Sequence, residues 1–96
     1  MRSISEPPAI VETAVFREHF GRRFIVTVDT EEEFDWANPI SREGYGLRHL
    51  PRIVKFQKFC ETEGICPIYL VDYPIATSAL AGDILREPVR LGRAEI

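Results

Sequence analysis

A run of acidic residues directly after an apolar segment constrains this sequence more than any other feature. Residues 24–28 are apolar apart from Thr27, and β-branched residues fill their centre. This pattern predicts a strand over residues 24–28 that is covered on both faces. Five acids then fall within residues 29–35, with no Lys or Arg among them. Like charges placed this close repel one another unless a proton or a cation lies nearby.

The acidity of the chain is local. The 96 residues carry a formal net charge of −3, whereas the five acids of residues 29–35 contribute −5, so the remainder sums to +2. A composition of 45% hydrophobic and 28% charged residues is typical of a globular chain. The basic residues are scattered and form no stripe with aromatic residues, which argues against nucleic acid as a partner.

Membrane association is not indicated either. No apolar run approaches the roughly 18 residues of a membrane span. Arg2 is not followed by the apolar run of a secretory signal, so a cytoplasmic location is expected. The sequence does not indicate an oligomeric state.

The segment after the first strand is predicted to be a long loop and then a helix. Residues 30–49 contain Pro39 and two glycines as breakers, and loops of this length inside a compact domain are usually functional. Apolar residues recur on one side of residues 50–63, which predicts a helix whose flank packs on a sheet. Pro51 is acceptable in its first turn, and Gly64 ends it.

The second half of the chain repeats this order. Residues 67–71 predict a second apolar strand, which Asp72 ends. Thr77 or Ser78 can cap a second helix that runs to about Arg86, with Pro88 bending or ending it. Residues 94–96 then resemble the opening of a third strand.

The resulting β-α-β-α-(β) order predicts an α/β fold. Connections of this length require adjacent strands to be parallel, with right-handed crossovers. We divide the chain into a lead-in, residues 1–22, and a structured part, residues 23–96. Two full strands and two helices enclose a poor core, so we expect residues 23–96 to be the N-terminal portion of a larger, here incomplete, α/β domain.

The position of the acids suggests chemistry at the end of the first strand. If that strand stays extended through Glu31, then Asp29 and Glu31 share one side, and Thr30 and Glu32 point to the other. Two such carboxylates can divide their roles, with one binding a divalent cation and the other acting as a general base. The alternative is a solvated acidic loop that pairs with nearby arginines such as Arg42 or Arg48.

Three segments resemble one family. Residues 27–31 (Thr-Val-Asp-Thr-Glu) resemble the first motif of the polysaccharide deacetylase (NodB-homology) superfamily, and the longer run 28–36 resembles its WalW-like branch. Residues 69–74 resemble the second strand of that family, and residues 92–96 resemble the lead-in to its third strand. The resemblance covers about residues 22–96.

The resemblance implies a fold and a reaction. The fold would be a distorted, TIM-like (β/α) barrel with its site at the C-terminal ends of the strands. Asp29 would be the general base and Glu31 a ligand of a divalent metal, commonly zinc. The reaction would hydrolyse the carbon–nitrogen amide bond of an N-acetylated glycan, with small non-sugar amides also open. Asp72 and Tyr73 could line the substrate pocket or simply end the second strand, and Trp36 could stack on a sugar or plug the barrel mouth.

The family's metal histidines are not in this sequence. They form His-x-x-x-His shortly after the third strand begins, and no such motif occurs among the 96 residues. His19 and His49 lack metal spacing, and surface or capping roles are expected for both. One carboxylate ligand holds zinc weakly, so we expect this chain to be inactive alone.

Two other functions fit parts of the pattern. An apolar strand that ends in Asp-x-Asp is also the nucleophile motif of haloacid-dehalogenase-like phosphatases. Here Glu31 replaces the second Asp, and Asp72 stands where a phosphate-binding Ser or Thr is needed. The chain could also be a non-catalytic remnant or an interaction segment. Cys60 and Cys66 are expected to be core or near-core thiols, with a disulfide between them as the alternative.

Overall fold

The computed structural model describes residues 5–39, 41 and 43–96 as a small mixed α/β structure. A short 3-10 helix over Ile10–Glu12 lies in the predicted lead-in. The elements that follow are strand β1 (Thr27–Thr30), helix α1 (Arg52–Thr62), strand β2 (Ile68–Val71), helix α2 (Tyr73–Ala76) and helix α3 (Ala79–Arg90). The predicted α/β class is confirmed.

The two strands form a parallel sheet, as predicted. Thr27 lies opposite Ile68, and Thr30 lies opposite Val71. The last residues of the chain add to the other edge of β2 as a parallel bridge between Ile68 and Glu95. The Tyr69 N–H donates to the Glu95 carbonyl at 2.9 Å. Residues 94–96 therefore pair with β2 through a single bridge, at the place where a third strand was predicted to open.

The first strand begins later than predicted, and one of its faces is uncovered in the described part of the chain. β1 starts at Thr27, and Phe24 and Ile25 are 84% and 67% exposed. Pairing with β2 reaches back only to Val26, whose carbonyl accepts from the Ile68 N–H at 2.9 Å. No described element packs over Phe24 or Ile25, so both side chains stay in solvent.

The core lies between the helix-covered face of the sheet and helices α1 and α3. Tyr69 is fully buried there and packs in one cluster with Leu85 and Ala94. Its hydroxyl donates to Gln57 Oε1 at 2.7 Å, and Gln57 Nε2 donates to the Arg93 carbonyl at 2.9 Å. Burial raises the pKa of Tyr69 to about 12, so it remains a hydrogen-bond donor at neutral pH. This network joins β2, α1 and the C-terminal segment.

Helix α3 runs further than the sequence predicts. Ser78 caps it, as one of the two predicted alternatives, because its hydroxyl accepts from the Ala81 N–H at 3.3 Å. The predicted end near Arg86 is wrong, since the helix continues through Pro88 to Arg90. Pro88 sits in the last turn, where it removes one backbone donor, and the Leu91 N–H still reaches the Glu87 carbonyl at 3.0 Å.

Helix α2 is a single turn that the sequence pattern did not predict. Asp72 caps it by accepting from the Ile75 N–H at 3.2 Å, and Pro74 occupies its first turn. Helix α1 begins at Arg52, two residues after the predicted start, and Gly64 ends it with φ +70° as predicted.

The two cysteines do not form a disulfide. Both cysteines are free: Cys60 lies in the core, as expected, whereas Cys66 is exposed. Within the part of the chain that the structure describes, every helix is too short and too polar to cross a bilayer.

Candidate active site

Acidic residues follow both strands of the sheet at the same edge. β1 ends at Thr30, and the acids of residues 31–35 come directly after it. β2 ends at Val71, and Asp72 comes next. Because the strands are parallel, both acidic groups lie at the carboxyl edge, where open α/β sheets bind ligands.

The structure brings Glu32 to Asp72 at this edge. Glu32 Oε2 is buried and has no hydrogen-bond donor while both side chains are ionised. A proton on one carboxyl supplies that donor, and the hydrogen bond with Asp72 is the largest cause that raises the pKa of Glu32. Burial and the charges of Asp72 and Glu31 raise this pKa further, against the lowering effect of the Glu32 backbone N–H. Glu32 therefore keeps its proton to a higher pH than an ordinary glutamate.

The predicted pair Asp29 and Glu31 lies on the solvent side. Both residues are exposed, whereas Thr30 is buried and Glu32 is half-buried. This alternation is the one predicted for a segment that stays extended through Glu31. The roles of Asp29 as a base and of Glu31 as a metal ligand stay predictions.

His49 is closer to the acids than the sequence suggested. It is half-buried, and its Nδ1 lies 3.3 Å from Glu33 Oε1, at an angle that does not make a hydrogen bond. Glu33 itself is fixed by two backbone hydrogen bonds with Gly46, of 2.8 and 3.2 Å. Sequence order could have placed His49 here, because the residues before a helix in a β-α unit lie at the carboxyl edge of the preceding strand.

A groove of about 250 Å³ separates β1 from α1 beside this site. Asp29, His49 and Arg52 stand around it, and its walls are mainly apolar, from Val28, Thr30, Ile53 and Phe56. Asp29 and Arg52 do not form an ion pair in the described structure. The groove is therefore bordered by the predicted base Asp29, by the cation of Arg52, which the sequence analysis did not name, and by the imidazole of His49, for which a surface or capping role was expected.

Of the three residues predicted to contact the substrate, two aromatic residues are exposed and one acid is half-buried. Trp36 is 82% exposed and meets the Phe34 ring edge-on, with centroids 5.4 Å apart. Tyr73 is 79% exposed at the first turn of α2. Asp72 is half-buried and is occupied by its cap on α2 and by Glu32.

The alternative prediction was a solvated acidic loop that pairs with Arg42 or Arg48. Arg42 lies outside the described residues. Among residues 5–39, 41 and 43–96, the ion pair made by the acidic segment joins Glu33 to His49, and Arg48 makes none with it.

A divalent metal is implied by the family resemblance, and the residues present fit it incompletely. Glu32 Oε2, buried and without a donor, and the adjacent Asp72 carboxyl are oxygen ligands of the kind that divalent cations accept. A catalytic zinc site requires three protein ligands. In the described ranges, no three His, Cys, Asp or Glu side chains come together to hold a metal.

Comparisons with known proteins returned no match. No family model matches the chain, and neither a curated protein nor a solved structure matches it. The resemblance to the polysaccharide deacetylase superfamily therefore stays a prediction.

Proposed function

We propose that this chain is the N-terminal part of a metal-dependent carbohydrate N-deacetylase. Its domain would hydrolyse the carbon–nitrogen bond of an N-acetylated sugar and would complete a distorted, TIM-like (β/α) barrel. The 96-residue chain alone would be inactive. The family resemblance of residues 22–96 motivates this proposal, and the geometry at the carboxyl edge of the sheet supports it.

One observation carries most of the argument. Two consecutive parallel strands deliver acids to the same edge, where the hydrogen bond with Asp72 raises the pKa of Glu32. A folded chain accepts such a repulsive arrangement only where the surroundings compensate for it. Clustered carboxylates with perturbed pKa values are typical of catalytic sites, although ion-pair networks also produce them.

The proposed roles follow from exposure. Asp29 is exposed beside the groove, so its carboxylate is free to accept a proton from an attacking water. Glu31 lies on the same side of the extended segment and would be the carboxylate ligand of the metal. Trp36 and Tyr73 present aromatic faces to solvent, and such faces suit the C–H surface of a sugar ring.

The larger domain is supported by the uncovered face of the sheet. Parallel sheets are normally covered on both faces. Here Thr27 and Asp29 of β1 are exposed, and Leu70 of β2 is 49% exposed on the same face. Further β/α units would cover this face and would supply the imidazole ligands that the 96 residues do not contain.

The decisive test is made on the polypeptide encoded by the uninterrupted reading frame that contains these codons. We expect a His-x-x-x-His motif shortly after residue 96 and zinc-dependent release of acetate from an N-acetylated oligosaccharide. Asp29→Asn is expected to lower kcat at least about 100-fold, the usual contribution of a general base.

The matched control is Asp83→Asn, which makes the same change at an exposed acid of α3 and is expected to leave kcat unchanged. A reading frame without the two histidines would contradict the proposed metal site. Equal activity of the Asp29→Asn and Asp83→Asn proteins would contradict the role of Asp29.

A further inference from the structure

The edge of β1 that faces away from β2 has no strand partner in the described structure. The sheet has the order β1–β2, and residues 94–96 pair with β2, so this edge stays open. The Val26 carbonyl points to β2. Because main-chain groups alternate along a strand, the N–H and C=O groups of Thr27 and Asp29 point to the open edge. Such an edge is a template for another strand.

An apolar groove runs along the same edge. The groove beside Asp29 is lined by β1, α1 and His49 and by no residue of β2, so it follows the open side of β1. Val28, Ile53 and Phe56 give it an apolar wall. Its volume of about 250 Å³ exceeds the roughly 150 Å³ of a cavity known to hold benzene. It therefore has room for an aromatic side chain.

The chain itself carries an unburied aromatic residue next to this edge. Phe24 is 84% exposed and lies three residues before β1. It is an even number of residues from Val28 and Thr30, so in an extended strand its side chain lies on the same face as theirs, toward the helices. A second strand that paired antiparallel with β1 would place its own Phe24 on that side, against the groove.

The charges of residues 22–31 in one copy are complementary to those of a second copy that runs antiparallel to it. Residues 22–23 are arginines, residues 24–28 form the mainly apolar centre, and the acids begin at residue 29. With Thr27 on a two-fold axis, Arg23 of one copy lies opposite Glu31 of the other, and Phe24 lies opposite Thr30. Residues opposite each other then have their side chains on the same face of the sheet, as an antiparallel pair requires. Opposite charges placed across from each other stabilise strand pairing.

We propose that two copies of this chain dimerise through their β1 edges. The dimer forms a four-stranded sheet of order β2–β1–β1–β2, with the central pair antiparallel. Each copy inserts Phe24 into the groove of the other, between β1 and α1, and two Arg23–Glu31 pairs fix the register. This interface is isologous and closes after two subunits. It concerns the 96-residue chain, because a further strand of the larger domain proposed above would occupy the same edge.

The test uses a charge exchange, measured by sedimentation equilibrium over a range of concentrations. The 96-residue chain is used, because a strand from a longer polypeptide would compete for the same edge. The unaltered chain is expected at twice its mass of 11.0 kDa. Arg23→Glu and Glu31→Arg each place like charges opposite one another and should each weaken the dimer about ten-fold or more. An equal mixture of the two variants restores attraction at both pairs and should restore the dimer.

Matched variants make the same charge changes elsewhere. Lys55→Glu and Glu63→Arg alter exposed residues of α1 and of its C-cap, and both should leave the dimer unchanged. Phe24→Ala removes a side chain that is exposed in the monomer, so the fold should survive while the dimer weakens. A monomeric unaltered chain, a dimer insensitive to the charge reversals, or a mixture that stays monomeric would each overturn the proposal.

Discussion

At the scale of single residues, the contact between Glu32 and Asp72 links the candidate site to the stability of the fold. Asp72 accepts the Ile75 N–H that begins α2, and it also faces the buried Glu32 Oε2. Removing the proton from this pair places two negative charges next to each other in a partly buried setting. The charge state at the strand ends therefore influences how firmly α2 is held to β2.

The pH dependence of unfolding tests this link. Below the ordinary carboxyl pKa of 4.5, Glu32 is protonated in both the folded and the unfolded chain. Between that value and the raised pKa of the folded chain, the folded chain holds more protons than the unfolded chain. The free energy of unfolding therefore falls as the pH rises through this range. Glu32→Gln should remove this fall, measured by urea unfolding between about pH 4 and about pH 8.

Glu63→Gln provides the control, because Glu63 is exposed at the C-cap of α1. It should keep the slope of the unaltered chain over the same range. The assignment fails if Glu32→Gln and the unaltered chain lose stability in parallel as the pH rises.

Sequence reasoning located the edge that carries the acids but not the pair that meets there. Asp29, Glu31 and Asp72 followed from strand ends and from the family resemblance. Glu32 was predicted to point away from Asp29, and it does so, but nothing in the local pattern showed that its own side faces Asp72. That contact depends on the lateral register of β1 against β2, which a single strand's sequence does not encode.

At the scale of elements, the caps were predicted better than the boundaries. Ser78 was one of two proposed caps because Ser and Thr oxygens accept backbone N–H groups at helix starts. The start of β1 was placed three residues early because apolar residues 24–26 look like a buried strand. Their burial depends on a covering layer, which is a tertiary property. Pro88 was treated as a helix breaker, yet in a last turn it costs only one hydrogen bond.

Replacing the cap of α3 gives a measurable effect on stability. Ser78→Ala removes the acceptor for the Ala81 N–H and should lower the free energy of unfolding by about 1 kcal/mol. Ser78→Asp keeps an acceptor in that position and should retain most of the stability. Urea unfolding of the three proteins at one pH gives the comparison. Equal stability of Ser78→Ala and the unaltered chain would show that the cap contributes nothing.

At the scale of the whole molecule, the chain is more open than a compact domain of its length. Its radius of gyration is 18.1 Å, compared with about 12.5 Å expected for 96 residues. The lead-in contributes to this extension, since residues 5–19 are all exposed. The stack of Phe16 on Phe20 and the Arg23 guanidinium over the Phe20 ring are contacts within this segment. Little of the lead-in is therefore held by the core.

Limited proteolysis should report this difference directly. Trypsin is expected to cut after Arg17 in the exposed lead-in before it cuts after Lys55 or Lys58 within α1, because a helix must open locally before cleavage. Mass spectrometry of early time points would identify residues 18–96, 23–96 or 24–96 as the first large products, because Arg22 and Arg23 are exposed as well. First cleavage inside α1 would show instead that the lead-in is better protected than the core helix.

The parallel register of the sheet also has a consequence for biosynthesis. Thr27 finds its partner in Ile68, 41 residues further along the chain (from 27 to 68). At about 5–20 residues per second, a ribosome adds those residues in roughly 2 to 8 s. Throughout that interval the apolar run 24–28 exists without its neighbouring strand. Nascent chains on crowded polysomes therefore present this segment to one another before either can fold, and a chaperone that binds extended apolar peptides would have its clearest target there.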